Sequence, residues 1–142
     1  MPQPVSAVRT VARLARVLER GCHDLSLPQY RVLAMVEAGG QRATVLAGLL
    51  ALAKPTVTAA VDGLVERGYL CRGPVPGDRR ASRITITPAG RRALQAAEAS
   101  MGRCLDQVLD RVESRDHVVA ALAAVEAALD RLLAERVGER TP

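Results

Sequence analysis

Aromatic side chains are almost absent from this chain. Of its 142 residues 1% are aromatic: Tyr30 and Tyr69, with no Trp and no Phe. A core without rings must be built from Leu, Val and Ala, a composition suited to packed helices and poorly suited to a β-sandwich. Cysteine is scarce as well. Cys22, Cys71 and Cys104 form no CxxC pair and lie far in sequence from His23 and His117. That excludes a zinc-ligand pattern and a disulfide framework, and it fits a reducing cytoplasm. No apolar run reaches the ~18 residues of a membrane span, and Met1 to Ser6 lack the basic and apolar regions of a secretion signal. A cytoplasmic protein without membrane contact is expected. Glycine-rich phosphate loops, paired carboxylates in an apolar setting and nucleophile motifs are missing too, so no enzyme, metal or cofactor is expected. His23 and His117 are single, have polar neighbours and should face solvent.

What is present is aliphatic and basic. Apolar residues make up 49% of the chain, and the formal net charge is +5. The surplus is local. Between Arg67 and Arg92 seven arginines face one acid, Asp78, whereas residues 1–66 carry a net +2 and residues 93–142 a net −3. A concentrated positive patch on a small protein points to a polyanionic partner.

Periodicity places this patch. Val5 to Arg20 reads as a helix, with Val8, Val11, Ala12, Ala15 and Leu18 on one face and Arg9, Arg13, Arg16 and Arg20 on another. Pro28 opens a second helix that runs to about Ala38 and stops at Gly39-Gly40. Arg42-Ala43 fits a very short strand. Thr44 to about Leu50 is a third helix, a break follows near Ala51 to Lys54, and Pro55 to Arg67 is a fourth, closed by Gly68 as a left-handed cap. Two helices joined by so short a turn make a helix-turn-helix. Tyr69 to Gly73 and Ser82 to Thr87 read as strands, with Ile84 and Ile86 on one side, and Pro74 to Ala81 as the loop between them. Thr87 and Pro88 cap and open a long helix to about Val112, and Ser114 caps a last one from Arg115 to about Val137, ahead of a GERTP tail expected to fray. The fold class is mainly α, six helices with a two- to three-stranded β wing, in a single domain spanning 1–142.

Two stretches carry a resemblance. KPTVTAAVDGLVERGYL, Lys54 to Leu70, resembles the recognition helix and glycine exit of the MarR family of winged helix-turn-helix transcriptional regulators. DRRASRITITPAG, Asp78 to Gly90, is similar to that family's wing, through Asp78, Arg80, Ile86, Thr87 and Gly90. The resemblance implies residues 28–90 as the DNA-binding lobe, with 1–27 and 91–142 as dimerisation helices. It implies a homodimer that puts one recognition helix per subunit into a major groove. It also implies a repressor of a pseudo-palindromic operator in double-stranded DNA, released by a small-molecule effector. The apolar stripes of the terminal helices agree, being broader than one thin layer can cover; packing within the chain is the alternative for part of that surface.

The candidate DNA-binding residues follow from exposure and chemistry. At the front of the fourth helix stand Lys54, Pro55, Thr56, Thr58 and Ala59. The threonines can reach base edges, phosphates or a thymine methyl. Lys54 is a poor choice for a helix N-terminus, whose dipole repels a cation, and a good one for a phosphate. Ala59, Ala60 and Gly63 stand where longer side chains are common in the family, which leaves base readout to few groups. In the wing the resemblance assigns Arg80 to the minor groove with Asp78 holding it by an ion pair, and Arg79, Arg83 and Arg72 stand nearby. Two alternatives stay open: a winged-helix module that binds another protein, and a thiol redox switch at Cys22, whose pKa Arg20 and His23 could lower.

Overall fold

The computed structural model describes residues 4–39, 41–50 and 52–138. Helix α1 (Pro4–Gly21) leads into α2 (Leu27–Gly39), β1 (Gln41–Arg42), α3 (Ala43–Leu50) and α4 (Lys54–Glu66). The hairpin β2 (Leu70–Val75) and β3 (Asp78–Ile86) follows, and then α5 (Pro88–Leu109) and α6 (Arg115–Gly138). The sheet is antiparallel with β3 central, in the order β1-β3-β2. Six helices and a small β wing are the architecture read from periodicity.

The core follows from the missing aromatics. Val32, Leu33 and Val36 of α2, Leu46 and Leu50 of α3, Val57, Val61 and Leu64 of α4, and Leu70 and Ile84 of the wing form one aliphatic cluster, with Leu94, Ala97 and Met101 of α5 added to it. Helix α2 is the hub, packed against α4, α5 and β3. Each fully buried aliphatic side chain contributes about 1.5–3 kcal/mol. The wing is held by the same mechanism, because Leu70 and Ile84 drop into the cluster while their strand neighbours face solvent.

Three boundaries differ from expectation. The hairpin is longer than the strands read from sequence. The Pro74–Ala81 loop shrinks to a two-residue turn, Pro76-Gly77, with Gly77 at φ 81°. Proline followed by a positive-φ glycine is turn chemistry and needs no longer loop. Helix α5 stops at Leu109 rather than Val112, and Arg115 at the start of α6 pairs with Asp106 and Asp110 across the corner. The very short strand is Gln41–Arg42, one residue earlier than expected. Gly40 of the glycine stop, Ala51 of the break and residues 139–142 of the tail lie outside the described residues.

The terminal helices are incompletely covered. On α1, Val5, Val8 and Val11 are 60–69% exposed, and on α6 Val119, Leu122, Val125, Leu129 and Leu132 are 41–54% exposed. The C-terminal half of α1 packs on α5, whereas α6 touches its own chain chiefly at α3. No helix among the described residues is long and apolar enough to cross a membrane.

Candidate nucleic-acid interface

Helix α4 is positioned from both ends. At its start Ala53 is extended and offers no side-chain cap, and Pro55 lies in the first turn, where its missing N–H is no loss. At its end Gly68, at φ 72°, closes a two-bond cap: the Gly68 N–H donates to the Val65 carbonyl at 3.0 Å and the Tyr69 N–H to the Leu64 carbonyl at 2.9 Å. Arg67 clamps this end. Its guanidinium donates to the Asp24 carbonyl at 2.5 Å and to the Tyr69 hydroxyl at 3.2 Å, and lies 4.6 Å above the Tyr69 ring centre. Burial of Val57, Ala60, Val61 and Leu64 then turns the opposite face outward.

That outward face carries Lys54, Pro55, Thr56, Thr58 and Ala59, all exposed, as the sequence predicts. Thr58 already donates to the Lys54 carbonyl at 3.0 Å, which leaves its oxygen lone pairs and methyl for a partner. Ala60 is different: it is 6% exposed and belongs to the core. Its place in the core accounts for its small size, so of the three short positions Ala59 and Gly63 remain. Asp62, which sequence reasoning passed over, stands exposed on this helix and pairs with Arg72 of β2. Arg72 therefore ties the wing to α4 through Asp62. Both side chains remain substantially exposed, so the pair positions more than it stabilises.

The wing tip is built by an irregular register. Pro74 opposes Ser82 and Val75 opposes Asp78, so Arg79, Arg80 and Ala81 have no direct partners on β2. A bulge of this kind re-aims side chains. Asp78 shapes it, with its Oδ1 accepting from the Arg80 backbone N–H at 3.0 Å. The expected Asp78–Arg80 contact thus exists through the backbone, and no Asp78–Arg80 ion pair occurs among the described residues. The short Asp side chain spans two residues to an amide easily, and this leaves the Arg80 guanidinium at the tip. Arg79, Arg80 and Arg83 are all exposed.

The seven-arginine window divides by partner. Arg67 is engaged with Asp24 and Tyr69, Arg72 with Asp62, and Arg91 with Glu37 of α2 at 2.9 Å. Wing arginines 79, 80 and 83, and Arg92 of α5, have no carboxylate partner among the described residues. Sequence reading also missed Arg42. The β1–β3 register sets it directly opposite Arg83, exposed, on the same face of the sheet. Nothing local in the sequence signals this, because 41 positions separate the two.

The base of the wing is locked to α5. The Thr87 hydroxyl donates to the Gly68 carbonyl at 2.6 Å, lies 3.2 Å from the Tyr69 carbonyl, and accepts from the Gly90 N–H at 3.0 Å as the helix cap. A Cβ on Gly90 would stand 2.1 Å from the Tyr69 carbonyl oxygen. Beside this junction lies a cleft of about 400 Å³ lined by His23, Asp24, Tyr69, Arg92 and Ser100. Cys22 is buried, and burial pushes its thiol above the ordinary value, reinforced by the Asp24 charge and opposed by a backbone hydrogen bond at Leu25. The lowering expected from Arg20 and His23 does not occur. His23 and His117 are exposed.

A helix-turn-helix whose second helix presents a polar front, followed by an arginine-tipped hairpin packed on the same core, defines a winged helix-turn-helix protein. Residues 23–81 match the MarR family. Over 73 residues the chain is 36% identical to the HTH-type transcriptional regulator YpoP of Bacillus subtilis, covering 51% of this chain and 52% of that protein. It spans little more than half the length of the related sequences it matches. Among solved structures it is similar to the transcriptional repressor CouR bound to a 23-mer DNA duplex, with TM-score 0.76, 25% identity and coverage of 89% and 92% of the two chains. Wild-type MarR from E. coli in its apo form shares the fold at TM-score 0.76 and 21% identity, covering 91% of this chain and 98% of that one. The chain thus resembles the MarR family in sequence over residues 23–81 and shares the fold of its solved members along most of its length.

Proposed function

We propose that the protein is a DNA-binding transcriptional regulator that works as a homodimer, represses by occupying a pseudo-palindromic operator, and leaves it when a small ligand binds. The observation that carries this reading is the set of wing arginines at 79, 80 and 83. They lack carboxylate partners among the described residues and stand on a hairpin tied to the exposed front of α4. Lys54, Thr56 and Thr58 meet phosphates and base edges in the major groove, with Pro55 at their helix start, while Arg80 reaches the minor groove from its Asp78-held bulge. Residues 28–90 act as the DNA-binding lobe, and 1–27 with 91–142 as the dimerisation helices of one domain. The half-exposed apolar faces of α1 and α6 support that division, since a monomer would leave both in water. The cleft beside Tyr69 and Arg92 offers an effector a cation and a polar rim.

The test is binding of the purified protein to a labelled duplex from upstream of its own coding region, measured against salt. Several phosphate contacts should make log affinity fall with log salt at about 0.9 per contact. Affinity independent of salt would reject the reading in favour of a protein-binding winged helix.

A further inference from the structure

Arg42 and Arg83 are directly opposite each other across the β1–β3 ladder. Antiparallel partners project to the same face with Cβ atoms about 4.5–5.5 Å apart, and like charges so placed destabilise a sheet. The inward face of these strands carries buried Ile84, so Arg42 and Arg83 share the outward face. On the other flank Arg83 faces Gly73, and the next pair along that face is Cys71 with Thr85. No carboxylate on the three strands balances them: the one acid of the sheet, Asp78, sits at the far tip and is committed to the Arg80 amide. The pair also joins two parts of the proposed DNA-binding lobe, because Arg42 is the residue immediately before α3 and Arg83 leads from the wing tip toward its base.

Two exposed arginines set opposite each other by backbone register, neither with an ion-pair partner among the described residues, concentrate positive charge at one point of the sheet. We infer that Arg42 and Arg83 together grip one phosphate of the DNA backbone at the root of the wing, so that Arg42 is a DNA-contacting residue. This rests on the DNA-binding reading above. A phosphate between two planar forks accepts from both and removes their repulsion. The contact sets orientation and carries no sequence preference.

The experiment compares wild type, Arg42→Gln, Arg42→Glu and Arg80→Ala on two labelled duplexes, one from the upstream region and one of scrambled sequence, together with thermal melting. Arg42→Gln should lower the salt slope by about 0.9 and weaken both duplexes by the same factor. Arg42→Glu creates an opposite-charge pair with Arg83, so melting temperature should rise while DNA binding falls further than with Gln. A purely structural role predicts the reverse coupling, with binding lost only where melting temperature is lost. That result, or a wild-type salt slope for Arg42→Gln alongside a reduced one for Arg80→Ala, overturns the inference and leaves the DNA-binding reading standing. Absence of salt-dependent binding by the wild type overturns both.

Discussion

At the scale of single residues, one position can be required by its neighbours more than by its own helix. Gly90 lies in the first turn of α5, where alanine would ordinarily be favoured. Here a Cβ would meet the Tyr69 carbonyl oxygen at 2.1 Å, in the segment Thr87 bonds to. Gly90→Ala should therefore destabilise by about 3 kcal/mol or more, an overpacking cost against backbone that cannot rotate away. Urea unfolding measures it, and a wild-type midpoint would show that the junction yields. Cys22 gives a second residue-scale prediction. Its thiol is buried and raised, so its thiolate fraction at pH 8 lies below that of an ordinary cysteine and grows only at higher pH. Exposed Cys71 should be alkylated by iodoacetamide before Cys22, as peptide mass spectrometry would read. Faster labelling of Cys22 would revive it as a redox sensor.

Among elements, the wing shows charge and position acting in opposite directions. Arg80→Ala should flatten the salt slope by about 0.9 and leave the melting temperature near wild type, because the side chain is exposed and makes no ion pair among the described residues. Asp78→Ala removes a negative charge beside DNA, so net charge alone predicts tighter binding. It also removes the acceptor that holds the Arg80 amide and with it the bulge. We expect weaker binding, positioning outweighing one screened surface charge. Tighter binding by Asp78→Ala in a titration at physiological salt would show that the bulge holds without it. The wing also marks where local reading stops. Its strands were readable from alternation at Ile84 and Ile86, its cap from Gly68 and its junction from Thr87-Pro88. The bulge was not, since register depends on which residues of two strands face each other. Arg72 had the same difficulty: its strand was evident, but Asp62, ten positions away on a helix, was not an evident partner.

For the whole molecule, the exposed apolar faces of α1 and α6 are the feature that a lone chain leaves unexplained. Exposed valines and leucines along both helices exceed what scattered surface residues account for. Leu129→Glu places a charge within this surface and should shift the protein from dimer to monomer in analytical ultracentrifugation, with loss of high-affinity operator binding. Retention of the dimer would place the interface elsewhere. Six helices, their order, the helix-turn-helix and the arginine-rich hairpin were already dictated by the chain's local chemistry: helical and alternating apolar spacing, glycine stops, proline helix starts and the Thr87 cap. These act within a few residues, so they can be read along a line. The tertiary structure decided which arginines are engaged internally and which have no ion-pair partner among the described residues, that Ala60 is core, and that Arg42 lies opposite Arg83. Those outcomes depend on packing and strand register between distant segments, and the free energy of a charge depends on what is brought next to it.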